Sequence, residues 1–205
     1  MYEDENIAVL DKPPGLLTIP APRTGGQSLQ EILDSLCAEA GFTWRLHPCH
    51  RLDADTSGLV IFAKGKARQK LIMELFTRRE IKKTYIAFTQ GTLPKTEGVF
   101  TRSLDRETAR TAYRALSQYK LWARVEVRPE TGRKNQIRLH FKAAGHPLVG
   151  ETRFAFRKDF PLKAKRLMLH ALRLELKNPW TGEALTLEAP LPPDMEAFAA
   201  ENSAP

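Results

Sequence analysis

The sequence predicts an α+β fold: a mixed, mostly antiparallel sheet with flanking helices. Three observations carry this. Short apolar segments with strand character outnumber those with helical spacing. Several of them are separated by turns too brief for a crossover helix, which disfavours a doubly wound parallel sheet. Residues Trp122 to Arg128 alternate, with Val125 and Val127 on one side and Arg124, Glu126 and Arg128 on the other, as in a half-buried strand.

In chain order, Ile7-Ala8-Val9-Leu10 reads as a first strand, broken by Lys12-Pro13-Pro14-Gly15. Pro20-Ala21-Pro22 and Thr24-Gly25-Gly26 keep the next stretch a loop. Ser28-Leu29-Gln30-Glu31 is a capping-box sequence. It opens a helix with Leu29, Ile32, Leu33 and Leu36 on one face, stopped by Gly41. Leu59 to Ala63 is an apolar run of strand length. Ala67 to Arg78 suits a helix striped by Leu71, Ile72, Leu75 and Phe76, and Thr84 to Thr89 a further strand. Gln136 to Ala144 is helical, with Ile137, His140, Phe141 and Ala144 at helical spacing and Gly145 as the stop. Leu167–Leu176 and Leu185–Ala189 are strands flanking a turn at Asn178-Pro179-Trp180-Thr181-Gly182. With 205 residues and no internal repeat, one domain over residues 1–195 is expected, followed by a frayed Pro- and Ala-rich tail at 196–205.

Charge is unevenly placed. The net value is +8, yet residues 1–45 carry three cations against seven carboxylates, so the remainder holds +12. The densest stretch is Lys64 to Lys83, with eight cations against Glu74 and Glu80. Such a surface suits a polyanion. Cations spread around a helix, here Lys66, Arg68, Lys70, Arg78 and Arg79, follow a phosphate backbone more readily than they read a base edge. Cys37 and Cys49 do not form a metal-type pair and are expected as reduced thiols. The acidic start lacks a signal core and no apolar stretch reaches membrane-spanning length, so cytoplasmic residence is expected. P-loop and dinucleotide fingerprints are absent, as is the H-x-E with a later P-C-x-x-C that a zinc nucleobase deaminase needs. No cofactor and no metal are expected; His47-Pro48-Cys49-His50 lacks a second ligand group at suitable spacing.

Two clusters carry the chemistry. The first is His50-Arg51-Leu52-Asp53-Ala54-Asp55-Thr56-Ser57-Gly58, ahead of the Leu59 strand. It places a cation, a carboxylate and hydroxyls on a loop held by a sheet. The second is Thr131-Gly132-Arg133-Lys134-Asn135-Gln136-Ile137-Arg138-Leu139-His140, with three cations at a loop-to-helix junction. Helices usually favour acids at their start, so this arrangement points to an anionic partner.

The first cluster resembles the HRLDxxTSG segment of the RNA pseudouridine synthases of the RluA branch, and the second their GRxHQIRxH segment. Asp11-Lys12-Pro13-Pro14-Gly15 to Pro20 is similar to the family's KPxGxxxxP opening. Leu169-His170-Ala171 through Asn178-Pro179-Trp180-Thr181-Gly182 to Ala189-Pro190-Leu191-Pro192 is similar to its closing segment. The resemblance runs from about residue 5 to 195, in the family's order. It implies the pseudouridine synthase fold and isomerisation of uridine in ribosomal or transfer RNA. It also implies roles. Asp53 is the catalytic aspartate, Arg51 enters the stack vacated by the flipped nucleotide, and Tyr85 packs on the target base. Arg138 pairs with the aspartate, and Ile137 lines the pocket. His50, Thr56, Arg133 and Gln136 join the substrate-binding set. Asn135 departs from the family, where many members have histidine. The first catalytic element begins by residue 12, so an accessory RNA-binding domain ahead of it is not expected. Neither is an obligatory protein partner, and a monomer is the default.

The residues themselves agree with that chemistry. Isomerising uridine needs no redox change, hydrolysis or group donor. One ionised carboxylate beside the sugar is the minimum, and attack on C1′ and removal of the C2′ proton both stay open as its role. A nearby fixed cation such as Arg138 keeps it ionised. Extruding the base from its stack costs a few kcal/mol, which an aromatic face and an arginine plane offset by stacking. Each residue also has an ordinary structural use: Asp53 as a turn residue, Tyr85 as core, Arg138 as a surface ion-pair former. His140, His146 and His170 have no triad partner and are expected to be structural. The competing function is a basic RNA-binding module without catalysis.

Overall fold

A computed structural model of the chain describes residues 1–21, 27–155 and 161–203. The expected turn at Thr24-Gly25-Gly26 lies outside them. Two compact units are present: Met1–Lys82 with Arg173–Ala189, and Lys83–Leu172 with Pro190–Pro205.

In the first unit, β1 (Tyr2–Glu3) pairs with β2 (Ile7–Lys12), and β2 pairs with β4 (Ser57–Lys64), which also carries β3 (Leu46–Pro48). The chain returns in β9 (Leu169–Lys177), whose Arg173–Lys177 stretch pairs with β10 (Ala184–Glu188). All these pairings are antiparallel. The core is made by Ile7, Val9, Leu59, Ile61, Ile72, Leu174, Leu176 and Leu187. β4 is buried along nearly its whole length, which explains its unbroken apolar run. α1 (Leu29–Glu39) begins with the capping box that Ser28 and Glu31 predict, both reciprocal hydrogen bonds being present. Its apolar face differs from expectation: Cys37 is buried and Leu36 is 53% exposed. The helix packs on the short strand β3, which is too small to cover a full stripe. α2 (Lys66–Thr77) buries Ile72 and turns its cations outward.

In the second unit the antiparallel order is β5 (Lys82–Gln90), β8 (Trp122–Pro129), β7 (Thr111–Gln118) and β6 (Glu97–Phe100). α3 (Gln136–Ala143) packs on β7 and β8 through Ile137 and Phe141. The alternation read in Trp122–Arg128 is borne out, Val125 and Val127 being fully buried. β6 and β7 were not expected. β7 exposes every second residue and holds no β-branched run, so its pattern is faint. The frayed tail is a correction. Residues Pro193–Asn202 form α4, whose Met195 and Phe198 are buried against Phe88 and Trp122, and Asn202 O accepts from Trp122 Nε1 at 2.8 Å. Composition suggested disorder, but two apolar residues three apart suffice to dock a terminal helix. Among the described residues, four helices and antiparallel pairings agree with the α+β expectation. Among the described residues no helix is long and apolar enough to cross a membrane.

Candidate active site

In the first unit, Asp53 lies on the loop between β3 and β4, half-buried. Its carbonyl accepts from the Thr56 amide at 3.1 Å, closing a four-residue turn that contains both Asp53 and Asp55. The loop is gripped by its main chain on either side of Asp53. On one side, Thr18 Oγ1 accepts from the Leu52 amide and donates to the Leu52 carbonyl, both at 3.1 Å. On the other, Ala54 O accepts from Gly15 N at 2.8 Å and from Lys12 Nζ at 3.0 Å. Lys12 Nζ also donates to Pro13 O at 2.8 Å and Leu16 O at 2.7 Å, and the residue exposes no surface. Gly15, at φ 84°, lets the Pro13–Leu16 segment fold back over that ammonium.

Arg51 is exposed on the same loop, a position from which a guanidinium can reach a ligand. His50 and Thr56 are both anchored within the unit. His50 Nε2 accepts from the Ile61 amide at 3.0 Å, and its ring sits 4.6 Å from Phe76. The accepting nitrogen carries no proton, so the ring is fastened to β4 as the neutral tautomer. Thr56 is only 2% exposed, and its amide closes the turn. Both are read as holding the loop. Cys49, buried beside His50, has its thiol pushed up to about 12 by desolvation, and Sγ lies 3.7 Å from His47 O. A thiolate ligand needs the opposite shift.

In the second unit, the start of α3 is built from side chains. Gln136 Oε1 accepts from Thr131 Oγ1 at 2.7 Å and Arg133 N at 2.9 Å, and its Nε2 donates to Arg110 O and Thr111 Oγ1, each at 2.9 Å. Both ends of the amide are thus engaged within the unit, and Gln136 shapes the 131–136 turn. Asn135 is the N-cap, at φ 54° in the left-handed region. Asn is among the residues enriched in that conformation. Arg133 is partly exposed, paired with Glu107 and donating to Thr108 O at 3.2 Å. Ile137 is buried in the core. Tyr85, on β5 opposite Val127, packs at the edge of that core.

Arg138 is 3% exposed. It makes a two-pronged bond to Glu151, Nε to Oε2 at 2.7 Å and Nη2 to Oε1 at 2.8 Å, and Nη1 donates to Asn135 Oδ1 at 3.3 Å. The guanidinium also lies 4.9 Å from the Phe154 ring centroid. Burial pushes the Glu151 carboxyl up. The Arg138 hydrogen bonds and charge, with the amides of Arg153 and Phe154, outweigh it and hold the group below its ordinary 4.5. His140 is structural as expected, bonded at 2.9 Å to both Thr111 Oγ1 and the Arg102 carbonyl.

The roles of three of these residues escaped sequence reasoning. Lys12 was named only within the opening motif, and its clamp was hidden because lysine is rarely buried. Thr18 offered no signal. Glu151 had one: it follows Gly150, which at φ 78° would place a Cβ 1.9 Å from the Arg166 carbonyl. An obligatory glycine before an acid marks a built position.

A family profile described as RNA pseudouridylate synthase matches residues 6–143. Dual-specificity RNA pseudouridine synthase RluA of Haemophilus influenzae is 33% identical over 205 residues, covering 92% of this chain and 91% of the relative. Ribosomal large subunit pseudouridine synthase D of Nitrosomonas europaea is 32% identical over 97% of the chain, which spans 63% of that relative. Among solved structures, Human RNA Pseudouridylate Synthase Domain Containing 4 superposes with a TM-score of 0.81 at 27% identity, covering 97% of this chain and 90% of the other.

Proposed function

The chain belongs to the RNA pseudouridylate synthase family, and from that membership we propose that it isomerises uridine to pseudouridine in ribosomal or transfer RNA. The observation that carries the reading at residue level is the Asp53 loop. Its main chain is fixed at Leu52 and Ala54, which holds the carboxylate between them on a braced loop. Asp53 supplies the ionised group that acts at the ribose. The N1–C1′ bond breaks, the uracil turns, C5 bonds to C1′, the C5 proton leaves and N1 takes a proton. No co-reactant enters the balance.

Arg51 takes the place of the extruded nucleotide, Tyr85 packs on the base, and Ile137 lines the pocket. By the family resemblance Arg138 is the cation of this chemistry, and Glu151 orients its guanidinium. The chain acts as one catalytic domain that includes α4, in a cytoplasmic monomer. The alternative of a non-catalytic RNA-binding module finds no support in relatives that are named as synthases. The test is to map pseudouridines by chemical labelling and primer extension in total RNA from cells with and without the protein. At least one site should vanish with the gene and return with the wild-type protein. An unchanged map would overturn the proposal.

A further inference from the structure

Phe42 and Trp44 follow α1 in the first unit and take no part in the chemistry above. Their rings are stacked, with centroids 4.6 Å apart and planes inclined by 26°. Phe42 is 51% exposed. Lys64 Nζ, ion-paired to Glu3 at 2.6 Å, lies over the Trp44 ring 5.2 Å from its centroid. Leu46 is the register partner of Lys64, so the β3–β4 pairing brings the Trp44 segment beside that cation. Arg45, Lys66 and Lys70 are exposed in the same unit and form no salt bridge among the described residues.

We propose that Phe42 and Trp44 form a stacking platform for an unpaired base of bound RNA, with Lys64, Arg45 and Lys66 serving its phosphates. The proposal rests on the RNA reading above and adds a contact outside the reacting uridine. Three features favour this occupant. A pre-stacked aromatic pair offers a flat face that any base can extend, at small conformational cost. Lys64 lies over Trp44 and Arg45 adjoins it in sequence, cations that suit a backbone carrying a charge at every nucleotide. The exposed apolar area is about two rings wide, far below what a stable protein interface needs. The Lys64 contact holds Trp44 before any ligand arrives, so the platform is organised in advance.

The test uses the full chain and a labelled oligocytidylate about twelve nucleotides long, which contains no uridine to react. An abasic ribose-phosphate strand of equal length is the control. Phe42→Leu keeps an apolar group at the end of α1 without a ring, and Phe42→Tyr keeps the ring. Phe42→Leu should weaken oligocytidylate binding by roughly 5- to 100-fold, while Phe42→Tyr binds within about twofold of wild type. On the abasic strand all three proteins should bind alike. Unchanged binding by a folded Phe42→Leu protein would overturn the platform, as would an equal loss on both strands. Loss of binding to phosphatidylserine vesicles with RNA binding intact would assign the pair to a membrane surface and also overturn it. Pseudouridine formation in total RNA by wild type separates the outcomes: if it occurs while Phe42→Leu binds normally, only the platform fails, and if it never occurs, the function itself fails.

Discussion

The Asp53 loop and the start of α3 are fastened in opposite ways. The loop is held through its main chain, by Lys12 and Thr18 at Ala54 and Leu52. The helix start is held through side chains: Gln136 ties the turn, and Arg138 is locked to Glu151 with 3% and 1% of the two side chains exposed. The difference separates two kinds of residue. Replacing Asp53 by Asn keeps the bonds to Leu52 and Ala54 and removes the charge, so the change is felt in chemistry. Removing Arg138 strands a buried carboxylate, so the change is felt first in folding.

The strongest challenge to that contrast is Arg138→Met. It should cost about 3–5 kcal/mol of stability in urea denaturation, because Glu151 is left buried and uncompensated. The double variant Arg138→Met/Glu151→Leu should recover much of the loss. Additive losses would mean that the pair is not coupled. Acid provides an independent approach. Glu151 has its folded value held below 4.5, so the stabilisation it gives is complete above that pH and is lost as pH falls through the folded value. Stability of the wild type should therefore decline more steeply below about pH 4.5 than that of Glu151→Gln; matching slopes would deny the carboxylate this role.

Lys12→Met probes the loop side. It removes the donor that Pro13, Leu16 and Ala54 carbonyls share, at a cost of about 1–3 kcal/mol. Single-turnover isomerisation should slow as well, since Ala54 adjoins Asp53. A stability loss with an unaltered rate would show that the clamp does not position the acid. The smallest effect belongs to Arg79. It ends α2 at φ 61°, with Arg79 N bonded to Phe76 O and Glu80 N to Leu75 O, a helix stop that usually employs glycine. Arg79→Gly should leave stability equal or higher by less than about 1 kcal/mol. RNA affinity should fall with a shallower salt dependence. A loss of stability would reject the strain, and unaltered affinity the phosphate contact.

Much of this was legible from the residues. The capping box at Ser28–Glu31, the buried run of β4 and the alternation in β8 are local patterns, and local patterns survive folding. The two chemical clusters were legible as motifs. What was hidden depends on partners distant in sequence. Glu151 is thirteen residues from Arg138, and Ala54 is forty-two from Lys12, so neither partnership leaves a periodic trace. The bracing bonds of His50 and Gln136 were hidden for the same reason: a motif names its residues without showing their partners. α4 was missed because two buried side chains outweigh a composition that favours fraying.

The central claim is that Asp53 supplies the reacting carboxylate. It is tested by Asp53→Asn, assayed for tritium release from uracil C5 in an RNA that the wild type modifies, alongside thermal melting and RNA binding. The rate should fall by about 10³-fold or more, with melting temperature and affinity close to wild type. Activity within about tenfold of wild type in a folded, RNA-binding protein would contradict the assignment, since loss of a reacting carboxylate cannot be that mild.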